Sequence, residues 1–196
     1  MATKKTARTA SSKTTTPTQA TRSTTTTNKP SAPTPFQRPA DGAFWLMKSE
    51  PDVYGIADLE RDGTTGWEGV RNALARNYMR DHMRVGDRVL FYHSNAAPSG
   101  VAGIAEVAST SLPDPSQFDP RSDVFDAGST PASPRWMMVR LSFVECFPRV
   151  LPLERLRDDP ALEGMPLLQR GQRLSVQPVS RRHFQHILHL AGARTI

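Results

Sequence analysis

The chain has 196 residues, a formal net charge of +6 and a single cysteine, Cys146. One cysteine excludes an intramolecular disulfide and a thiolate metal centre, and no apolar run approaches the roughly 18 residues of a membrane span. Residues 1–40 hold seven basic side chains and no acid, which leaves 18 basic against 19 acidic groups in the remainder. The positive balance therefore describes a tail and does not mark the rest as a basic nucleic-acid binder.

Residues 1–40 contain 13 Thr and five Pro, with no large apolar side chain between Met1 and Phe36. Such a segment cannot bury enough surface to offset the entropy of ordering it, so a disordered tail is expected. Its charge adds sequence-independent attraction to phosphate polymers. It lacks the apolar core of a secretory signal. The expected location is cytoplasmic, with nucleoid association if the chain is bacterial.

Residues 41–196 form the expected domain, beginning near Ala43. Phe44-Trp45-Leu46-Met47 is an apolar run of strand length, buried on both faces. It ends in Lys48-Ser49-Glu50 and is stopped by Pro51. Lys48 is the only Lys among the 18 basic residues of this part, the other 17 being Arg, and a compact ammonium is not interchangeable with a guanidinium. Tyr54–Gly63 reads as a short helix stopped by its glycine, and Thr64–Trp67 as a turn presenting an aromatic. Val70, Leu74 and Tyr78 mark the apolar stripe of a helix over 70–80, with Asn72, Arg76 and Arg80 on another face.

Arg88–Ser94 and Val101–Ala108 read as a strand pair, with Gly103 allowing a close approach. Residues 111–134, rich in Pro, Asp, Ser and Gly, form a long loop of the kind that is often functional. Arg135–Val144 reads as a strand with Trp136, Met138 and Arg140 on one face. A last strand, Leu174–Val179, is ended by Pro178. Ser180 caps a final helix, Arg181–Ala191. Short strands with helices between them predict an α+β fold on a strongly curved sheet or small barrel.

Four polar clusters follow these apolar elements: Lys48-Ser49-Glu50, Trp67-Glu68 with Arg71-Asn72, Tyr92-His93-Ser94, and Arg135-Trp136. If the strands curl together, their ends converge on a pocket of aromatic planes and short-range donors. Stacking combined with edge hydrogen bonds is how a flipped-out base is read. Trp45 is assigned to the core. No GxSxG elbow, HExxH helix, GxGxxG turn or Walker loop is present. His93 and Ser94 are adjacent along a strand and point to opposite faces. No metal, cofactor or catalytic residue is expected. Glu50 or Glu68 would be the acid–base candidate if the chain were a nucleobase-processing enzyme.

Several stretches resemble the EVE domain. They are Phe44–Pro51, Trp67-Glu68-Gly69-Val70-Arg71-Asn72 with Ala75-Arg76-Asn77, Phe91–Ser94, Gly103–Val107, Pro134-Arg135-Trp136 and Gly171–Val179. Their order and spacing cover essentially all of residues 43–191. The resemblance implies a PUA-like fold, a small β pseudo-barrel flanked by helices. It also implies similarity to the YTH domains that read methylated adenine in RNA through a Lys-Ser pair and a cage Trp. Carried over by motif, Lys48 and Ser49 match the pair and Trp67 the cage residue. Asn72, Tyr92 and Ser94 are adjacent pocket candidates, and Glu50, Arg71, His93 and Trp136 are secondary ones. The implied function is a non-catalytic reader that cages a flipped, modified base, in DNA ahead of RNA. The oligomeric state is left open.

Overall fold

A computed structural model describes residues 36–195. Most of the expected basic tail, residues 1–35, lies outside the described residues. The strands are β1 (Phe44–Ser49), β2 (Thr64–Gly66), β3 (Arg88–His93), β4 (Gly100–Val107), β5 (Leu112–Pro113), β6 (Met137–Met138), β7 (Arg140–Pro152) and β8 (Val176–Val179). The helices are α1 (Pro51–Tyr54), α2 (Ile56–Asp62), α3 (Ala73–Asn77), α4 (Leu153–Arg157) and α5 (Arg181–Ala191). The main sheet runs β2-β7-β4-β3-β1-β8. It is mixed, since β1 is parallel to β3 and every other neighbour is antiparallel. Register shifts between β4 and β7 at Val101/Gly103 and Ile104/Ala105 bend the ladder. The sheet curls into a half-barrel flanked by helices, the α+β, PUA-like architecture expected from the sequence.

The central strands are buried on both faces, and their alternation divides the core. Trp45 and Met47 of β1, with Val89 and Phe91 of β3, join Trp67, Met79 and Leu59 in one apolar cluster. Leu46, Leu90 and Tyr92 point the other way, onto Phe184, Ile187 and Leu188 of α5. Burying a Leu or Phe side chain contributes about 1.5–3 kcal/mol, so these two clusters hold β1 in register. Ser180 caps α5 by accepting from the His183 amide, and Gly192 ends it in the left-handed conformation. At Gly103 an added Cβ would run into the Glu145 carbonyl and the Ile56 side chain, so the close approach expected there is to the irregular stretch of neighbouring β7 and to α2.

Four expectations change. Packing reaches back ahead of Ala43 at least to Phe36, because the Phe36 ring lies 5.0 Å from Trp45 and Arg38 reaches Asp87. The helix over 70–80 begins only at Ala73 and continues into a π turn at Tyr78–His82. Its buried row is Ala75, Met79 and Met83, and Leu74 is 50% exposed. The Asn72 cap delays the start, and the wider turn keeps these three residues on one face. The strand over 135–144 is two pieces: Met137–Met138 pairs with Leu112–Pro113 in a separate small sheet, and the long strand starts at Arg140. Pro178 lies inside β8, where it is tolerated because β8 is an edge strand paired only with β1.

Candidate functional site

The C-terminal end of β1 opens into a cavity of about 570 Å³. Its first wall is Lys48-Ser49, continued by Val53 and Tyr54 of α1. The Ser49 hydroxyl donates to the Tyr54 carbonyl at 2.8 Å, which ties the strand end to α1. The opposite wall is the segment Thr65–Asn72, with Ser175 closing the rim.

Trp67 is anchored twice. Its amide donates to the Val139 carbonyl at 2.9 Å, and its indole meets Phe91 edge-on at 5.4 Å. At 7% exposure it gives the cavity a strip of indole while the rest of the ring fills the core. Gly69 turns the chain with φ +78°, a conformation that favours glycine. Asn72 then caps α3: its Oδ1 accepts from the amides of Leu74 at 2.9 Å and Ala75 at 3.1 Å. The cap uses the amide's oxygen and leaves its NH₂ donors for the cavity.

Glu68 supplies the charge of this cavity; Lys48 borders it, but its ammonium lies over the Tyr92 ring, 5.8 Å from the ring centre. Burial pushes the Lys48 ammonium below its ordinary pKa, and no carboxylate among the described residues pairs with it. Burial pushes the Glu68 carboxyl upward, and the nearby Asp114 charge pushes it further. Arg71 also lines the cavity, but its guanidinium is committed behind the wall. It donates to the Val124 carbonyl (2.6 Å), Asp114 (2.7 Å) and Ser116 (3.0 Å), and stacks on Trp136 at 5.4 Å.

The structure thus brings Lys48, Ser49, Trp67 and Asn72 together, with Arg71 from the secondary candidates. Tyr92 faces the opposite side of the sheet, packed in the α5 cluster, and the side chain of its register partner Lys48 points the same way. Ser94 donates its amide to the Ser49 carbonyl at 2.8 Å, supporting the wall from behind. His93 accepts the Ile56 amide at 3.1 Å and holds the start of α2. Glu50 is exposed and accepts from Asn95. Trp136 lies between Arg71 and Arg76 with its indole N–H on Asp126 at 2.7 Å.

Sequence reasoning missed Val53, Tyr54, Thr65 and Ser175 as lining residues, and the anchor beneath them. Asp114 is 1% exposed and accepts from Gly69, Arg71 and Ser116. Gln117, fully buried, donates to the Asp114 and Trp136 carbonyls and accepts from the Arg135 and Trp136 amides. These bonds fasten the long 111–134 segment to the wall of the cavity. Asp114-Pro115 was the readable signal, an N-cap residue followed by a proline at the first helical position.

The EVE domain model matches residues 43–190. The chain belongs to the EVE domain family. Thymocyte nuclear protein 1 of Gallus gallus is 37% identical over 165 residues, spanning 74% of this chain and 67% of the relative. A crystal structure of a Pseudomonas putida protein is 46% identical, with a TM-score of 0.73, and covers 76% of this chain and 99% of its own. A crystal structure of human THYN1 in complex with DNA containing 5-methylcytosine is 36% identical, with a TM-score of 0.72, and covers 76% of this chain and 98% of its own.

Proposed function

We propose that this EVE domain is a non-catalytic reader of a modified base in DNA, and that the base leaves its stack to enter the cavity at the end of β1. The observation that carries the reading is the cavity itself. Free amide donors at Asn72, the Glu68 carboxyl and part of Trp67 converge on one space of about 570 Å³, with Lys48-Ser49 of β1 as its wall. A base edge presents acceptors to such donors, and its faces slide against the indole. The human relative bound to 5-methylcytosine DNA supports DNA as the polymer and a modified cytosine as the kind of base.

The walls are built for holding. Asn72 has its Oδ1 tied to the Leu74 and Ala75 amides, so its NH₂ donors are positioned before a ligand arrives. Glu68 is the one carboxyl lining the cavity. A lone carboxyl with a raised pKa fits a hydrogen-bonding partner for a base edge.

The test is equilibrium binding of matched duplexes with and without 5-methylcytosine, measured for the wild type and for Trp67→Phe. The phenyl ring keeps an edge contact with Phe91 but shortens the wall. The wild type is expected to prefer the modified duplex and Trp67→Phe to lose that preference. Equal affinity for both duplexes in both proteins removes the reading. Competition by a matched RNA separates the polymers, because an RNA that displaces the DNA at equal concentration reverses the choice of DNA.

A further inference from the structure

A second cavity, of about 450 Å³, lies against the same end of β1 on the other side of the sheet. Its ionisable lining is Lys48, Tyr92, Arg157, Arg170 and Arg173, with no Asp or Glu among the described residues that line it. Lys48 lines both cavities. Its side chain points to the Tyr92 side, with its ammonium 5.8 Å from the centre of that ring.

The chemistry of this lining is one-sided. Arg157, Arg170 and Arg173 are exposed, and among the described residues none of them forms an ion pair. Tyr92 is 4% exposed, yet its hydroxyl has no hydrogen-bond partner among the described residues while the residue lines the cavity. Burial pushes the phenol upward in pKa, so it stays a donor. The nearest acids along the chain, Asp158 and Asp159, line a different depression, and Asp159 is taken by His186 at 2.9 Å. An array of cations and one neutral hydroxyl donor, with no carboxylate among the described residues that line it, fits an oxyanion, and guanidinium forks match phosphate geometry.

We propose that this second cavity seats a backbone phosphate of the strand whose base enters the first cavity, with Lys48 as the residue between the two. The inference rests on the nucleic-acid reading above, and it divides the labour at the end of β1. One side examines a base, while the other holds the phosphodiester and sets the register of the strand without reading sequence.

The test uses the full chain, Tyr92→Phe and the double variant Arg170→Gln/Arg173→Gln, whose replaced side chains are exposed. Affinity for the modified and unmodified duplexes is measured against salt concentration. Each lost phosphate contact flattens the log–log slope by about 0.9, so the double variant, which empties the seat of one phosphate, is expected to flatten it by about that amount. Both duplexes should weaken together, with their affinity ratio preserved. Tyr92→Phe, which removes only the hydroxyl, should weaken both duplexes about threefold to tenfold, the usual range for one hydrogen bond to a charged group. An unchanged slope in the double variant overturns the proposal, and so does a change confined to the modified duplex. A titration of the protein with inorganic phosphate, followed by the NMR signals of the Tyr92 ring, separates this failure from failure of the reader function. If the wild type binds neither duplex, a saturable Tyr92 shift that the double variant lacks still establishes the anion seat. No saturable shift then removes it.

Discussion

The two ends of β1 are built on opposite plans. At its entry Asp87, 3% exposed, accepts both arms of Arg38 at 2.6 and 2.7 Å, the Trp45 indole N–H at 3.0 Å and the Arg84 amide at 3.0 Å. Phe36 closes over Trp45, Tyr78 and His82. At its exit Lys48 carries a half-buried charge with no counter-ion among the described residues, and Asn72 turns unused donors toward a cavity. A desolvated polar group without a partner costs free energy. One end of the strand is therefore sealed for stability, and the other keeps its donors unpaired, the arrangement of a binding site.

The largest test of that contrast is Asp87→Ala. Burial alone would raise the Asp87 carboxyl, but hydrogen bonds from Arg38, Trp45 and the backbone outweigh it and hold the pKa below the ordinary aspartate value. Removing it strands the Trp45 indole N–H and leaves Arg38 unpaired. The expected loss of unfolding free energy is about 3 kcal/mol, read by urea denaturation. The folded fraction should bind DNA as the wild type does, and loss of binding at unchanged stability would break the comparison. The sign of the pH dependence follows. A carboxyl whose folded pKa is depressed contributes stability that is present above its unfolded value, about 3.9, and lost as pH falls through the folded value. Asp114 behaves alike, its burial outweighed by bonds from Ser116, Arg71 and Gly69. Thermal stability should fall most steeply below about pH 4, and Asp87→Asn should flatten that fall.

Gly103→Ala comes next. A Cβ there meets the Glu145 carbonyl and Ile56, and overpacking of this kind typically costs about 1–3 kcal/mol. Because Gly103 lies away from both cavities at the exit of β1, base preference should be unchanged. A changed preference would show that the β4–β7 contact and the site are coupled.

Much of this was legible in the sequence where a local rule and the tertiary fold agree. The two-sided burial of Trp45 and Leu46, the Ser180 cap with its amphipathic α5, and the β3–β4 pair around Gly103 all follow from pattern alone. Lys48, Ser49, Trp67 and Asn72 were readable as polar or aromatic residues bordering apolar elements. Tyr92 was not assignable to a cavity, because a strand's end residues divide between two faces and only the pairing register says which. The break between Met138 and Arg140 was hidden because an apolar run does not reveal that its first residues pair with Leu112–Pro113. The docking of Phe36 was hidden by composition: a single aromatic in a Thr/Pro-rich context carries no periodicity.

Asn72→Asp separates folding from binding within one residue. A carboxylate caps a helix as well as a carboxamide and suits the positive end of α3, so the melting temperature should hold or rise. The cavity then loses the Asn72 NH₂ donors and gains a charge. Affinity for the modified duplex is expected to fall about tenfold, the equivalent of about 1.4 kcal/mol, by fluorescence anisotropy. A fall in stability with affinity intact would assign Asn72 to the helix alone.

Lys48→Met has the smallest expected effect on stability and the most informative sign. The methionine keeps the apolar stem and removes the charge. Burial lowers the folded pKa of Lys48, so its protonated form is penalised in the folded state. That penalty is present below the folded pKa and fades as pH rises through it toward the ordinary lysine value. The variant should therefore match or slightly exceed the wild type in stability at neutral pH, and the difference should shrink in alkali. An anionic or acceptor ligand restores the ammonium, so wild-type affinity should decline as pH rises through the same window while that of Lys48→Met stays flat. A clear loss of stability in Lys48→Met at neutral pH would mean that the ammonium is satisfied within the fold, and the two ends of β1 would then differ in shape but not in plan.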